Sequence, residues 1–316
     1  MNIAYAADEK YARYAAISMV SLFENNKEVS DITVYIIENN ISNESKKILL
    51  ELANKYNRKM IFLPLKDLIN GLVTDGTFSL ASFARLFLCK ILNIDKILYL
   101  DCDMIVLTSL DELWNISMDG NYFAGVMDSV ERHYRKEIGL SGNDEYINAG
   151  MLLMNLSELR KIDWQGKVIA FVNEFNGKVP HHDQGVVNAL GKGKIKILSP
   201  KYNSMDLFFW YSSEQAMKIT HTTKFYTQVE CDEAVQQPVI IHYTAGYYGR
   251  PWDVKCTHPL KEAFIKYMNK TIYNGQLVDE KENRNVVLMR KLYKILPFGI
   301  YCKVVDLKEF IKRICK

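Results

Sequence analysis

Leu98 to Val106 reads LYLDCDMIV, six apolar residues and a cysteine enclosing two aspartates one position apart. Carboxylates in such company cost stability unless something pairs with them, so the stretch raises the question of what Asp101 and Asp103 hold. The run ILYL before the pair reads as a buried strand, of the kind found in parallel sheets covered on both faces by helices. Side chains two residues apart on a strand share a face, so both carboxylates are expected to face one cation while Cys102 faces the core. Neighbouring carboxylates repel at neutral pH, and a divalent metal is the usual remedy. Spacing alone is weak support, since about one D-x-D arises by chance in a chain of this length at ordinary composition. An EF-hand is excluded because Ile105 and Val106 stand where its loop needs further oxygen ligands and glycine.

Outward from this strand the chain alternates. NIAYAA (Asn2 to Ala7) reads as a strand, and YARYAAISMVSLFENN behind it carries Tyr11, Ala15, Ser18, Met19 and Leu22 at helical spacing. ITVYIIEN is a second strand, SNESKKILLELANKYN a helix with Ser42 as N-cap and Glu44 in its first turn, and KMIFLPL a third strand. A helix is expected around SFARLFLCKILN, then the strand KILYLDCD, a short helix near LDELWNI, and strands at YFAGVMD, NAGMLLMNL, KIKILSP and PVIIHYT. A further helix runs from Gln165 to Phe175. This order predicts an α/β fold with a mainly parallel sheet. Ligands of such sheets gather beyond the carboxyl ends of strands, and Asp8, Asp101 and His242 each lie at or just past one.

Composition sets the bounds. At 48% hydrophobic and 24% charged residues, the chain has the make-up of a globular protein with a sizeable core. Its start lacks the basic-then-apolar pattern of a signal peptide, and no apolar run is long enough to span a bilayer, so a cytoplasmic location is expected. The six cysteines (Cys89, Cys102, Cys231, Cys256, Cys302, Cys315) are scattered without C-x-x-C or zinc spacing and read as reduced thiols. The net charge of +3 is uneven: from Lys281 to Lys316 ten Lys or Arg face three Asp or Glu, leaving −4 for the remainder. A basic tail of this kind points to a phosphate-bearing or membrane surface rather than to sequence-specific nucleic-acid binding.

Six ordered stretches, AADEKYA, SFARLFL, LYLDCDMIV, INAGMLLMNL, HHDQGVVNAL and HYTAGYYGRPW, together resemble glycosyltransferase family 8. These are retaining, nucleotide-sugar-dependent enzymes that include bacterial lipopolysaccharide galactosyl- and glucosyltransferases and glycogenin. The resemblance implies a single GT-A-type Rossmann-like domain over residues 1–275, with a mixed, mainly parallel central sheet, and a basic helical C-terminal tail over 276–316. It makes Asp101, Asp103 and His242 the ligands of Mn²⁺, with Mg²⁺ as the alternative ion and the diphosphate of a UDP-sugar completing the shell. Carboxylate, imidazole and phosphate together suit Mn²⁺, whereas Mg²⁺ prefers more oxygen.

Carried over position by position, the resemblance assigns Ala6 and Asp8 to the uracil and ribose, Tyr11 to stacking on the base, and Cys102 to the same donor pocket. Lys10 stands where the family often has Asn. Arg85 matches a residue reaching the donor sugar or phosphate, and Asn148 a sugar-hydroxyl ligand. Asp183 would bind sugar hydroxyls, and the Gln184 amide oxygen would sit on the face opposite the leaving group. His181 and His182 diverge as neighbours and are at best outside the ligand set. Arg250 replaces the family's lysine in a loop lengthened between His242 and Pro251-Trp252; that loop contains Gly249 and also Gly246, the latter among the expected donor contacts. Arginine keeps its charge and binds phosphate bidentately, so the stabilising role on departing diphosphate survives with altered reach. With no carboxylate placed as a covalent nucleophile, front-face substitution through an oxocarbenium-like transition state is the expected route to retention.

DSVERHYRKEIGLSGNDEY (Asp128 to Tyr146) is polar and long enough for a lid or acceptor loop, and Asp128 resembles a family position near the acceptor. The tail interleaves Lys and Arg with Leu, Ile, Tyr and Phe, which suits an amphipathic helix lying on an anionic bilayer beside a lipid-linked acceptor. That reading places the chain peripherally on the inner face of the plasma membrane; its rival is a helical pair packed on the domain. Two other functions compete. A haloacid-dehalogenase-type phosphohydrolase would use Asp101 or Asp103 as nucleophile, although Ile105 departs from its motif and no later G-D-x-x-x-D is present. A glycogenin-like self-glycosylating scaffold would draw on the nineteen tyrosines.

Overall fold

The computed structural model describes residues 1–69, 72 and 81–314. Cys315 lies outside them, and the other five cysteines are free and buried. Among the described residues ten strands form two sheets: β1 (Asn2–Asp8), β2 (Thr33–Asn39), β3 (Lys59–Pro64), β4 (Lys96–Leu100), β5 (Met104–Val106), β6 (Phe123–Gly125), β7 (Met151–Asn155), β8 (Ile195–Ile197), β9 (Ser204–Met205) and β10 (Ile240–His242). The larger sheet runs β3-β2-β1-β4-β7-β6-β8 and the smaller β5-β10-β9. In the larger one, β1 pairs parallel with β2 and β4, β2 with β3, and β6 with β8. β7 runs antiparallel to both β4 and β6, which makes the sheet mixed and mainly parallel.

Strand alternation sorts the core into two layers. Ile3, Tyr5, Leu98, Leu100, Met151 and Leu153 face the layer that holds α1 (Glu9–Asn25). Ala4, Ile97, Tyr99, Leu152 and Met154 face the layer holding Phe83, Leu86, Trp164 and Val186. α1 begins where the Asp8 carboxylate accepts from the Tyr11 amide at 2.9 Å, so a residue expected at the donor also caps a helix. Ser42 caps α2 (Asn43–Lys55) as expected, accepting from the Ser45 amide, a contact worth about 1 kcal/mol.

Three expectations change. The helix anticipated at SFARLFLCKILN breaks into Ala81–Ala84, a 3-10 turn at Arg85–Phe87, and Leu88–Ile91. The 128–146 stretch is not a bare loop: it contains the Arg132–Glu137 helix, and buried Arg135 donates to the carbonyls of Val130 (3.0 Å) and Asp144 (2.9 Å). The D-x-D pair lies in the turn between β4 and β5 rather than on the strand.

The start of the tail is tied to the body. Val278 N donates to Trp252 O at 2.9 Å, and Val254 N to Val278 O at 2.9 Å. Helices Arg284–Ile295 and Phe298–Ile314 then form a hairpin, broken at Pro297. One side of it packs on the body through Met289, Tyr301 and Cys302 against Ile219, Tyr211 and Tyr247. The other side leaves Leu288, Ile295, Ile300, Leu307, Phe310, Ile311 and Ile314 more than half exposed. Among the described residues no helix is long and apolar enough to cross a membrane.

Candidate active site

The turn at Asp101–Asp103 transfers the chain from one sheet to the other. Asp101 N donates to Gly150 O at 2.8 Å, extending the β4–β7 ladder, while Tyr243 N donates to Asp103 O at 3.1 Å, extending β10–β5. Each aspartate is therefore fixed to a different sheet. Between them Cys102 is buried, its thiol donating to Ala6 O at 3.2 Å. The two carboxylates converge because the turn aims them together, not because they share a strand face.

They converge on His242 at the end of β10. One ligand atom from each of Asp101, Asp103 and His242 lies within 4.8 Å of the others, and no other such group of His, Cys, Asp or Glu occurs among the described residues. His242 Nε2 is 3.3 Å from Asp103 Oδ1 and 4.0 Å from Asp101 Oδ2. Its other nitrogen, Nδ1, lies 3.0 Å from Asn203 Oδ1. An amide oxygen only accepts, so Nδ1 carries a proton and Nε2 is the nitrogen turned toward the aspartates. Burial lowers the His242 imidazole, but the facing Asp103 and Asp101 outweigh it and raise it. A cation bound there would take the place of the proton that these carboxylates draw to Nε2.

Two observations test whether a metal fits. With the imidazole protonated on Nδ1 alone, buried Asp103 Oδ1 has no hydrogen-bond donor, a cost that coordination would remove. A Cβ on Gly150 would lie 2.4 Å from His242 Cε1 and 2.8 Å from Asp101 Oδ2, so only glycine leaves room for this geometry. Two carboxylates and a neutral imidazole fit a divalent ion.

Two arginines pair with the surrounding carboxylates without balancing all of them. Burial alone would raise the Asp103 carboxyl, but the facing His242 and Arg250 hold it well below the usual carboxylate range. Arg250 Nη1 touches Asp103 Oδ2 and donates to Tyr243 O at 2.6 Å. Arg85, buried, lies 3.1 Å from Asp101 Oδ1 and 3.2 Å from Asp183 Oδ2, with its guanidinium 3.9 Å from the Tyr99 ring centroid. Asp183 is pushed up to about 6, chiefly by burial and only partly offset by Arg85.

Gln184, Asn148 and Asp128 form one network. Gln184 Oε1 accepts from Ala149 N at 3.0 Å and Asn148 Nδ2 at 3.2 Å, and Gln184 Nε2 donates to Asp128 Oδ2 at 3.0 Å. The amide oxygen expected to face the sugar is thus held by donors of the chain. Asn148 Oδ1 accepts from Asn203 Nδ2 at 3.1 Å, which links the network to His242.

Two neighbouring cavities result. One, of about 320 Å³, is lined by Ala6, Asp8, Tyr11, Arg85, Asp101, Cys102, Asp103 and Arg250. The other, of about 360 Å³, is lined by Asp128, Asn148, Asp206, Gly246 and Tyr247, with side chains of the tail hairpin opposite. Gly246, expected at the donor, lies on the second; its amide donates to Asp206 Oδ2 at 2.8 Å. Lys10 points away, 3.9 Å from Glu280. His181 and His182 are outside the metal-type group and instead enter their helix with left-handed backbone, φ 55° and 52°. Sequence reasoning misses Gly150, Asn203 and Asp206. Gly150 is visible within INAGM as a glycine beside an apolar strand, while nothing in PKYNSMD marks Asn203 or Asp206.

Strand ends thus bring a metal-type triad to the edge of a cleft. The profile described as Glycosyl transferase family 8 matches residues 2–256, and the chain belongs to that family. It is 33% identical over 282 residues to a putative glycosyltransferase of Haemophilus influenzae, covering 86% of this chain and 80% of that one. It is 28% identical over 308 residues to a lipopolysaccharide 1,2-glucosyltransferase of Escherichia coli, covering 89% and 86%. Its fold matches the galactosyltransferase LgtC, solved with donor and acceptor sugar analogues, at TM-score 0.68 and 24% identity over 86% of this chain and 96% of that one. The chain is a glycosyltransferase of GT-A fold.

Proposed function

We propose that the chain is a retaining hexosyltransferase that moves glucose or galactose from a UDP-sugar to a glycan, lipid-linked or part of a surface polysaccharide. The observation that carries this reading is the convergence of Asp101, Asp103 and His242 Nε2, with Arg250 beside them. Mn²⁺, or Mg²⁺ in its place, would be held by these three residues and would supply positive charge to the diphosphate of the donor. Ala6, Asp8, Tyr11 and Cys102 line the cleft assigned to the nucleoside, and Arg85 fixes Asp101 and Asp183 at its floor.

Asp183 and Gln184 face the sugar in this assignment, and Arg250 stabilises the departing phosphate charge. Gln184 is a poor nucleophile, and Asp101 and Asp103 are committed to the cation. That favours front-face substitution, the leaving phosphate taking the acceptor's proton. Asp128 is assigned to the acceptor, and Asn148 and Gly246, assigned to the donor, line the same cavity, which supports donor and acceptor sugars meeting there. The exposed apolar side chains of the hairpin, flanked by lysines, support attachment to the anionic inner face of the plasma membrane from the cytoplasm.

A screen of UDP-sugars with Mn²⁺, scoring slow hydrolysis, tests the reading without an acceptor. One UDP-hexose should be hydrolysed, with loss of turnover in EDTA and in Asp103→Asn. Turnover that survives both treatments sinks the metal-dependent mechanism, and phosphate-ester cleavage without UDP affinity would favour the phosphohydrolase. Mass spectrometry of the chain after incubation with donor distinguishes self-glycosylation.

A further inference from the structure

The loop from Tyr243 to Trp252 brings Arg250 to Asp103, yet its backbone is not one that the loop would hold alone. Ala245 has φ 59° and Gly249 φ 78°, and an alanine in the left-handed region persists only where surrounding contacts over-determine it. From the body, Asp206 accepts from Gly246 N. From the tail hairpin, Arg290 Nη1 donates to Tyr247 O at 3.1 Å, and Glu282 holds that guanidinium at 3.1 Å. The Tyr247 hydroxyl also meets the hydroxyl of fully buried Tyr301, with Tyr211 Oη 3.3 Å away.

We propose that the C-terminal hairpin is a clamp on the active-site loop: Arg290 and Tyr301 hold Tyr247, and through it set the position of Arg250. Both are positioning residues, since neither lines the donor cleft. The inference rests on the UDP-sugar reading of that cleft. Arg250 lies three residues beyond Tyr247 on the same short segment, with one further backbone–backbone hydrogen bond between them, Thr257 N donating to Tyr248 O at 2.9 Å, so slack at Tyr247 would reach the guanidinium across that contact. Tyr247 also lines the second cavity, so the clamp shapes both sides of the site.

The test is acceptor-free hydrolysis of the UDP-sugar by the full chain with Mn²⁺. Arg290→Ala should lower kcat by about 2- to 30-fold, with the thermal midpoint unchanged, and Arg290→Lys should restore it. Combined with Arg250→Ala, Arg290→Ala should add no further loss. Tyr301→Phe, which keeps the ring, provides the same comparison should Arg290→Ala fold poorly. Val229→Ser, exposed on the body and lining neither cavity, should be silent. Turnover of Arg290→Ala and Tyr301→Phe equal to wild type overturns the clamp, as does a loss that simply adds to that of Arg250→Ala. A wild-type chain with neither UDP affinity nor hydrolysis overturns the donor reading instead, and the clamp with it.

Discussion

Gly150→Ala is the sharpest probe of the proposed metal site. The added methyl would stand 2.4 Å from His242 Cε1, 2.8 Å from Asp101 Oδ2 and 3.0 Å from Asn148 Oδ1. Two of these groups are proposed ligands and the third is linked through Asn203 to His242. None is the free end of a long side chain, so relief requires the ligands themselves to move. Overpacking of this kind costs about 1–3 kcal/mol, and a strain of that size falling on ligand geometry corresponds to about 5- to 150-fold in affinity. Mn²⁺ binding followed by electron paramagnetic resonance of the free ion reads this directly, with thermal unfolding as a check on the fold. Gly299→Ala is the control, since a Cβ there meets nothing within 4 Å and it lies in a helix where alanine is the better former. Gly150→Ala binding Mn²⁺ as tightly as wild type would refute the assignment of the three ligands.

Asn203→Ala removes the acceptor on His242 Nδ1 and should weaken Mn²⁺ by about 10- to 100-fold, measured in the same way. Asp206 is pushed up to about 6 by burial, outweighing the Gly246 amide. Because its ionisation is harder in the fold than in the unfolded chain, it withdraws stability as pH rises from about 4 to about 6. Asp206→Asn, which keeps an acceptor for Gly246, should therefore be more stable than wild type at about pH 7.5 by about 1–3 kcal/mol and lose that advantage near pH 4, as followed by thermal melts. Flotation with phosphatidylglycerol vesicles should retain the full chain and release Leu307→Glu/Phe310→Glu/Ile311→Glu; equal flotation of both would remove the hairpin from membrane binding.

Much of the fold was legible because β1, β4 and β7 are buried along nearly their whole length and read as apolar runs, and because Ser42 announces its helix. The 3-10 break at Arg85 was not, since it arises from tertiary pairing: Arg85 leaves a regular helix while its guanidinium reaches Asp101, Asp183 and Ala149 O. The proximity of Asp101, Asp103 and His242 followed from strand ends, but the reason for it did not. Sequence spacing described a flat strand, whereas the chain changes sheets inside the motif. The orientation of His242 depends on Asn203, a residue with no local signature. The tail pattern showed an amphipathic helix without showing which apolar side chains the body would cover.

Charge balance gives an independent reason for a cation in this cleft. Asp8, Asp101, Asp103 and Asp183 surround it, and Arg85 and Arg250 answer them. Once a bound ion displaces the proton that the aspartates draw to His242, four carboxylates against two guanidinium groups leave a formal excess of two negative charges for that ion to answer. A diphosphate entering that field meets repulsion of about 1–4 kcal/mol for each close pair of charges, and it cannot be offset by Arg85, which is already shared between two aspartates. Arg250 is the cation able to turn toward phosphate, but only if something else balances Asp103. A divalent ion at Asp101, Asp103 and His242 would bring the sum to zero and release Arg250 for the donor in the same event. Metal affinity and the reach of Arg250 would thus be coupled through one carboxylate, with the hairpin proposed to position Arg250 at the other end of that coupling.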